Sequence, residues 1–120
     1  MKPKRIQLSR RKGYRKPPGT IVVARPFKYG NPFTVAGCRA AGYVGTDAEI
    51  ANRCVDAFEA WLGPHWRENW DCEESERRRA WMLAHLPDLR RHDLACWCPL
   101  TAPCHADVLL RLANKTEKLK

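Results

Sequence analysis

Several segments of the chain carry the hydrophobic patterns of β-strands. Residues 4–8 alternate polar and apolar side chains, as a half-buried strand does. Residues 20–24 are β-branched and almost wholly apolar, which predicts a buried strand. Residues 93–97 predict another strand, and the pattern at 33–35 fits a short additional one.

Three other segments have the period of amphipathic helices. The Thr-Asp-Ala-Glu sequence at 46–49 has the spacing of a capping box, and the apolar stripe after it stops at the Gly-Pro pair 63–64. Residues 73–86 predict a second helix, which Pro87 ends, and residues 105–113 predict a last short one. The buried side of the second helix is expected to include Trp81, Ala84 and His85.

Strands interleaved with helices predict an α/β protein. We expect a single compact domain over residues 1–120, with a small mixed or parallel sheet flanked by helices. Residues 1–19 form a basic strand and loop, and residues 115–120 are expected to fray.

Length and composition narrow the class of protein. A chain of 120 residues is too short to divide into two domains that each bury a core. Apolar residues make up 44% and charged residues 29%, and no apolar run approaches the roughly 20 residues that cross a bilayer. The basic start of the chain is followed by no apolar signal core, so we expect a cytoplasmic protein with no membrane partner. In a reducing cytosol, six cysteines are expected to be thiols or metal ligands.

The positive charge is concentrated in the first part of the chain. The net charge is +9, and residues 1–46 hold eleven lysines and arginines with no acidic residue. This asymmetry favours a polyanionic partner, namely a nucleotide, DNA or RNA, over a merely solvated surface. The basic loop, defined here as residues 9–19, supplies the candidate nucleic-acid contacts Arg10, Arg11, Lys12, Tyr14, Arg15 and Lys16.

The densest candidate chemistry lies between the third predicted strand and the last helix. Cys96, Cys98, Cys104 and His105 fall within ten residues there. The field at a helix amino terminus lowers a thiol pKa, so Cys104 is a candidate thiolate beside His105. Three thiolates and an imidazole would also complete a zinc site, although the Cys-x-Cys spacing and the adjacent Cys104-His105 pair are unusual for one. A third interpretation is a buried small hydrophobe with a capping histidine.

A second cluster follows the buried strand at 20–24. Arg25 and Lys28 could pair with phosphate, and Gly30 would allow the backbone to approach a ligand. Asn31 offers a donor and an acceptor beside Pro32. The alternative is a tight turn packed with aromatic side chains.

The two clusters together resemble a known family. The Gly-Asn-Pro-Phe turn at 30–33, with the Cys-Trp-Cys at 96–98 and the Pro-Cys-His-Ala-Asp at 103–107, is similar to the bacterial and phage family catalogued as domain of unknown function 4326. The resemblance covers nearly the whole chain and implies a compact α/β domain of bacterial or phage origin. It implies no particular reaction.

These observations give a leading hypothesis and two alternatives. The leading hypothesis is a nucleotide- or nucleic-acid-binding protein without a cofactor. It could also be an enzyme that modifies or hydrolyses a nucleotide or base, with Cys104, His105 and Asp107 as candidate catalytic residues. The alternatives are a zinc-stabilised module that binds DNA or RNA without catalysis, and a phage-type adaptor that binds a host protein.

Overall fold

Three short parallel strands form the sheet of the domain. The computed structural model describes residues 2–64 and 73–115. Strand β1 (Arg5–Gln7) and strand β2 (Ile21–Val22) both pair in parallel with β3 (Leu94–Cys96), which therefore lies in the centre. The predicted α/β fold with a small parallel sheet is confirmed.

The described part of the chain forms four α-helices in addition to this sheet. They are α1 (Val35–Ala40), α2 (Asp47–Leu62), α3 (Glu73–His85) and α4 (His105–Lys115), with a 3-10 turn at Leu86–Leu89 after α3. Helix α4 packs against β1, β3 and α2, and the 3-10 turn packs against α4. Among the described residues, none of the helices combines the length and apolar character that a bilayer span requires.

Helix α2 follows its sequence pattern closely. Thr46 accepts from the Glu49 backbone N–H, and the Glu49 carboxylate accepts from the Thr46 backbone N–H, which completes the capping box. The helix ends at Leu62, where Gly63 leaves the helical conformation. Arg79 of α3 then donates to the Trp61 and Gly63 carbonyls, so the end of α2 is capped by a neighbouring helix.

The core lies between the sheet, α2, α3 and α4. Its largest fully buried side chains come from every one of these layers: Ile50, Phe58, Trp61, Met82, Leu89, Leu94 and Leu109. Helix α4 contacts β1 and β3 and also packs against α2, so it links the sheet to α2 across this core.

Two local predictions were wrong. The segment predicted as a short strand at 33–35 instead begins α1, because the Thr34 hydroxyl accepts from the Gly37 N–H and starts a helix there. On α3, Ala84 is exposed and Met82 is the buried residue. Lys115 still belongs to α4, and the remainder of the expected frayed tail lies outside the described residues.

We expect the replacement Thr46→Ala to lower the free energy of unfolding by about 1 kcal/mol, because it removes the hydroxyl that accepts from the Glu49 N–H. Urea denaturation followed by far-UV circular dichroism measures the change. Thr101→Ala, in an exposed turn, is the matched control and should change the free energy by less than about 0.5 kcal/mol. Equal effects of the two replacements would contradict the role assigned to the cap.

Candidate functional site

A cleft opens at the carboxyl edge of the sheet. It has a volume of about 240 Å³ and is lined by residues of both sequence clusters. Arg25, Asn31 and Phe33 come from the turn after β2, and Trp97, Cys104 and His105 come from the segment between β3 and α4. Ligands of open parallel α/β sheets bind at this edge. The two clusters, distant in sequence, therefore line one cavity.

The turn after β2 is held by its own polar groups. The Arg25 guanidinium donates to the Asn31 carbonyl at 2.8 Å and to the Phe33 carbonyl at 3.4 Å. The buried Asn31 amide donates to the Cys54 carbonyl at 3.1 Å, and its oxygen accepts from the Phe33 N–H at 2.9 Å. The Asn31 side chain thus fixes the shape of the turn, and each of its two polar atoms has one partner within the protein.

Other predicted residues of this turn lie away from the cleft wall. Gly30 packs closely against Arg25, because an added Cβ would lie 2.9 Å from the Arg25 Cγ. Its role in the structure is therefore a close contact within the turn. Lys28 extends to α3, where its Nζ lies 5.1 Å from the centre of the Trp81 ring. Pro32 faces a different groove, between α1 and α2.

The cysteine and histidine side chains converge at the floor of the cleft. The ligand atoms of Cys96, Cys104 and His105 all lie within 4.8 Å of one another, and all three residues are buried. Cys98, which is half-buried, brings its sulfur to 3.9 Å from that of Cys96. The Cys104 sulfur lies 3.7 Å from the His105 Nδ1, so these neighbours in sequence do converge.

A hydrogen bond to the sheet sets the orientation of His105. Its Nε2 lies 2.7 Å from the Val23 carbonyl oxygen, which can only accept, so Nε2 carries the proton. The other ring nitrogen, Nδ1, faces the cysteine sulfurs, and in an uncharged ring with the proton on Nε2 it offers them a lone pair. The rings of His105 and Phe58 also pack edge to face, with 5.3 Å between ring centres. His105 is therefore anchored on two sides.

The hydrogen bonds within the cluster move the thiol pKa values apart. The Cys104 and Cys98 thiols beside Cys96 lower the pKa of Cys96. The same contact with Cys96, then that with Cys98, and then burial raise the pKa of Cys104. The Cys104 thiolate expected at the helix terminus stays a prediction.

Arg5 organises the loop between β3 and α4. Its Nη2 lies within 3.2 Å of the Pro99, Leu100 and Ala102 carbonyl oxygens, which tie the loop to β1. Its Nη1 lies 3.4 Å from the Asp107 carboxylate. Asp107 of α4, a candidate catalytic residue, is half-exposed, and its carboxylate forms this ion pair with Arg5.

The basic loop meets the cleft at an exposed aromatic side chain. The Arg10 guanidinium lies 4.9 Å from the centre of the Trp97 ring, which is 44% exposed and lines the cleft. The Tyr14 hydroxyl donates to the Gln7 carbonyl at 3.3 Å. The remaining predicted contacts of this loop are all exposed: Arg11, Lys12, Arg15 and Lys16.

Three residues of this site were not predicted as site residues from the sequence. Trp97 entered the sequence analysis only as part of the Cys-Trp-Cys motif, and nothing in the local pattern indicates that the Arg10 guanidinium lies over its ring. Arg5 has its partners almost a whole chain length away. Cys54 lines the cleft with its sulfur 3.5 Å from that of Cys38, and burial, followed by this contact, raises its pKa to about 11.

Comparison with known proteins assigns the family and nothing further. A search of the curated proteins and a search of the solved structures found no match. A family model described as "Domain of unknown function (DUF4326)" matches residues 6–115, a span that includes the cleft, the four described helices and all of the sheet except Arg5. The chain therefore belongs to the DUF4326 family.

Proposed function

We propose that this protein binds a nucleotide unit, either free or within a single strand, at the carboxyl edge of its sheet. The base would lie against Trp97 in the cleft, and the phosphates would lie on the basic loop. The observation that carries the proposal is the contact between Arg10 and Trp97, because it joins the cationic loop to an exposed aromatic ring in the cleft.

The volume of the cleft suits one part of a nucleotide better than a whole nucleotide. Pockets that enclose drug-sized ligands measure about 300–1,000 Å³, and this cleft measures about 240 Å³. A single flat base could occupy it while the sugar and phosphates remain outside. Trp97 supports such binding because an exposed indole stacks on any base without selecting its sequence.

The basic loop supplies the charge for the rest of the ligand. Arg10, Arg11, Lys12, Arg15 and Lys16 are exposed, and no acidic residue occurs before Asp47. Over residues 2–64 and 73–115, none of these five cations forms an ion pair with a carboxylate. Their charge is therefore available to phosphates. Neutralisation of phosphates by such cations releases the counterions bound to the nucleic acid, which favours binding.

The geometry favours binding over hydrolysis. A general base needs a free lone pair directed at the ligand. His105 donates from Nε2 to Val23 and directs Nδ1 at the cysteine sulfurs, so neither nitrogen faces the open side of the cleft. Cys104 is 1% exposed, so its sulfur is not open to a ligand in the cleft. We therefore assign these residues to the floor of the binding site.

The first prediction concerns Trp97. Replacement Trp97→Ala should weaken binding of a labelled single strand of about ten nucleotides by about 5- to 150-fold, the worth of one stacked base. Fluorescence anisotropy measures the affinity, and free nucleoside monophosphates and triphosphates as competitors distinguish a nucleotide site from a strand site.

The chain offers a matched control for this variant. Arg53 lies 4.9 Å from the ring centre of Tyr43, which is 47% exposed, so this pair repeats the Arg10–Trp97 arrangement on another surface. Tyr43→Ala should leave the affinity unchanged. If wild-type protein binds neither the strand nor free nucleotides, or if both variants weaken binding equally, the proposal fails.

The second prediction concerns the salt dependence of binding. Each phosphate contact that is lost should reduce the slope of log affinity against log salt concentration by about 0.7 for a single strand. Replacing Arg11, Lys12 and Lys16 with alanine should therefore flatten the slope by about 2. Replacing Arg77 and Arg78, two exposed cations on α3, should not change it. An unchanged slope in the loop variant would remove the basic loop from the binding surface.

A further inference from the structure

We infer that Cys96, Cys98, Cys104 and His105 bind one Zn²⁺ ion as a closed, four-ligand structural site beneath the cleft. Three thiolates and one imidazole are a standard donor set for structural zinc. The ligands would come from the end of β3, from the following turn and from the start of α4. The metal would thus join the sheet to its last helix.

The spacing of the donor atoms fits one tetrahedral ion. With bonds of about 2.3 Å to sulfur and about 2.0–2.1 Å to nitrogen, a zinc tetrahedron has edges of about 3.8 Å between sulfurs and about 3.6 Å between sulfur and nitrogen. The Cys96 and Cys98 sulfurs lie 3.9 Å apart. The Cys104 sulfur and the His105 Nδ1 lie 3.7 Å apart. Both distances match tetrahedral edges. The Cys98 sulfur lies outside the group of Cys96, Cys104 and His105 atoms that are all within 4.8 Å of one another, so the half-buried Cys98 side chain would have to move to complete the set.

His105 is oriented as metal-bound histidines are. Such histidines donate their second ring N–H to a carboxylate, a backbone carbonyl or a water, which fixes the tautomer and the ring direction. Here Nε2 donates to the Val23 carbonyl at 2.7 Å, and the remaining Nδ1 lone pair is directed at the sulfurs. A histidine that only capped a helix would need neither the buried partner nor this direction.

The surroundings of the cluster suit the charge of the loaded site. Three thiolates around a dication leave a net charge of −1, which needs compensation in a buried position. The Arg5 side chain is 8% exposed, interacts electrostatically with Cys98 and holds the loop carbonyls of Pro99, Leu100 and Ala102. Arg5 therefore supplies both a counter-charge and a fixed loop around the metal.

This inference does not depend on the proposed nucleotide site. Zinc binding is measured on the protein alone, and a failure to bind nucleotides would leave it intact. If both hold, Cys104 and His105 keep the cleft floor rigid while Trp97 and the basic loop contact the ligand.

The first test uses the full chain without mutation. Protein purified without chelator should contain about one zinc per chain by elemental analysis. Removal of the metal should lower the melting temperature by more than about 10 °C. Titration of the metal-free protein with Co²⁺ should give the visible bands of a tetrahedral ion and a near-ultraviolet sulfur-to-cobalt charge-transfer band, saturating at about one equivalent.

The second test assigns the ligands. Cys104→Ser should lose most of the zinc, whereas Cys38→Ser, a thiol outside the cluster, should retain all of it. Cys98→Ser should lower the charge-transfer intensity of its cobalt complex by about one third, because two of three thiolates remain. Metal-free wild-type protein that binds no Co²⁺, or equal zinc content in Cys104→Ser and Cys38→Ser, would overturn the inference. The titration of wild-type protein keeps the question decidable even if a variant fails to fold.

Discussion

The hydrogen bond from His105 to the Val23 carbonyl connects the parts of this molecule that its sequence separates. Val23 follows β2 and is fully buried, and His105 is the first residue of α4. A bond of 2.7 Å between them fixes the start of α4 against the end of β2. The same bond leaves Nδ1 to face the sulfurs of the cluster. The cleft, the cysteine cluster and the turn after β2 all owe their relative positions to this contact, because each includes or adjoins one of its two residues.

Most of the regular elements were predictable because their signals are local. The Thr46–Glu49 capping box and the apolar stripe of α2 are read within one helix, and the strands show their period within a few residues. Helix α1 escaped prediction because it has six residues and buries none of them, so it leaves no apolar stripe in the sequence. Its only sequence signal was the cap at Thr34, which favours a helix start but does not require one.

The site was predictable only in part, because only some of its signals are local in the sequence. Local spacing located both clusters directly after predicted strands, and the carboxyl ends of parallel strands lie at one edge of a sheet. The convergence of the adjacent Cys104 and His105 could not be inferred, because it depends on the distant Val23 carbonyl. Likewise, Asn31 looked like a ligand contact, yet its amide bonds to Cys54 and Phe33. Side chains with several donors and acceptors reveal their role only when their partners in the fold are known.

The central position of β3 also determines how the chain acquires its shape during synthesis. Strands β1 and β2 leave the ribosome early and do not pair with each other. Each of them pairs with β3, whose residues are synthesised much later. Contacts of such long sequence separation form slowly. A chain that lacks residues 94–105 would display the basic loop with no cleft beside it, so the cleft exists only once this later segment has been made.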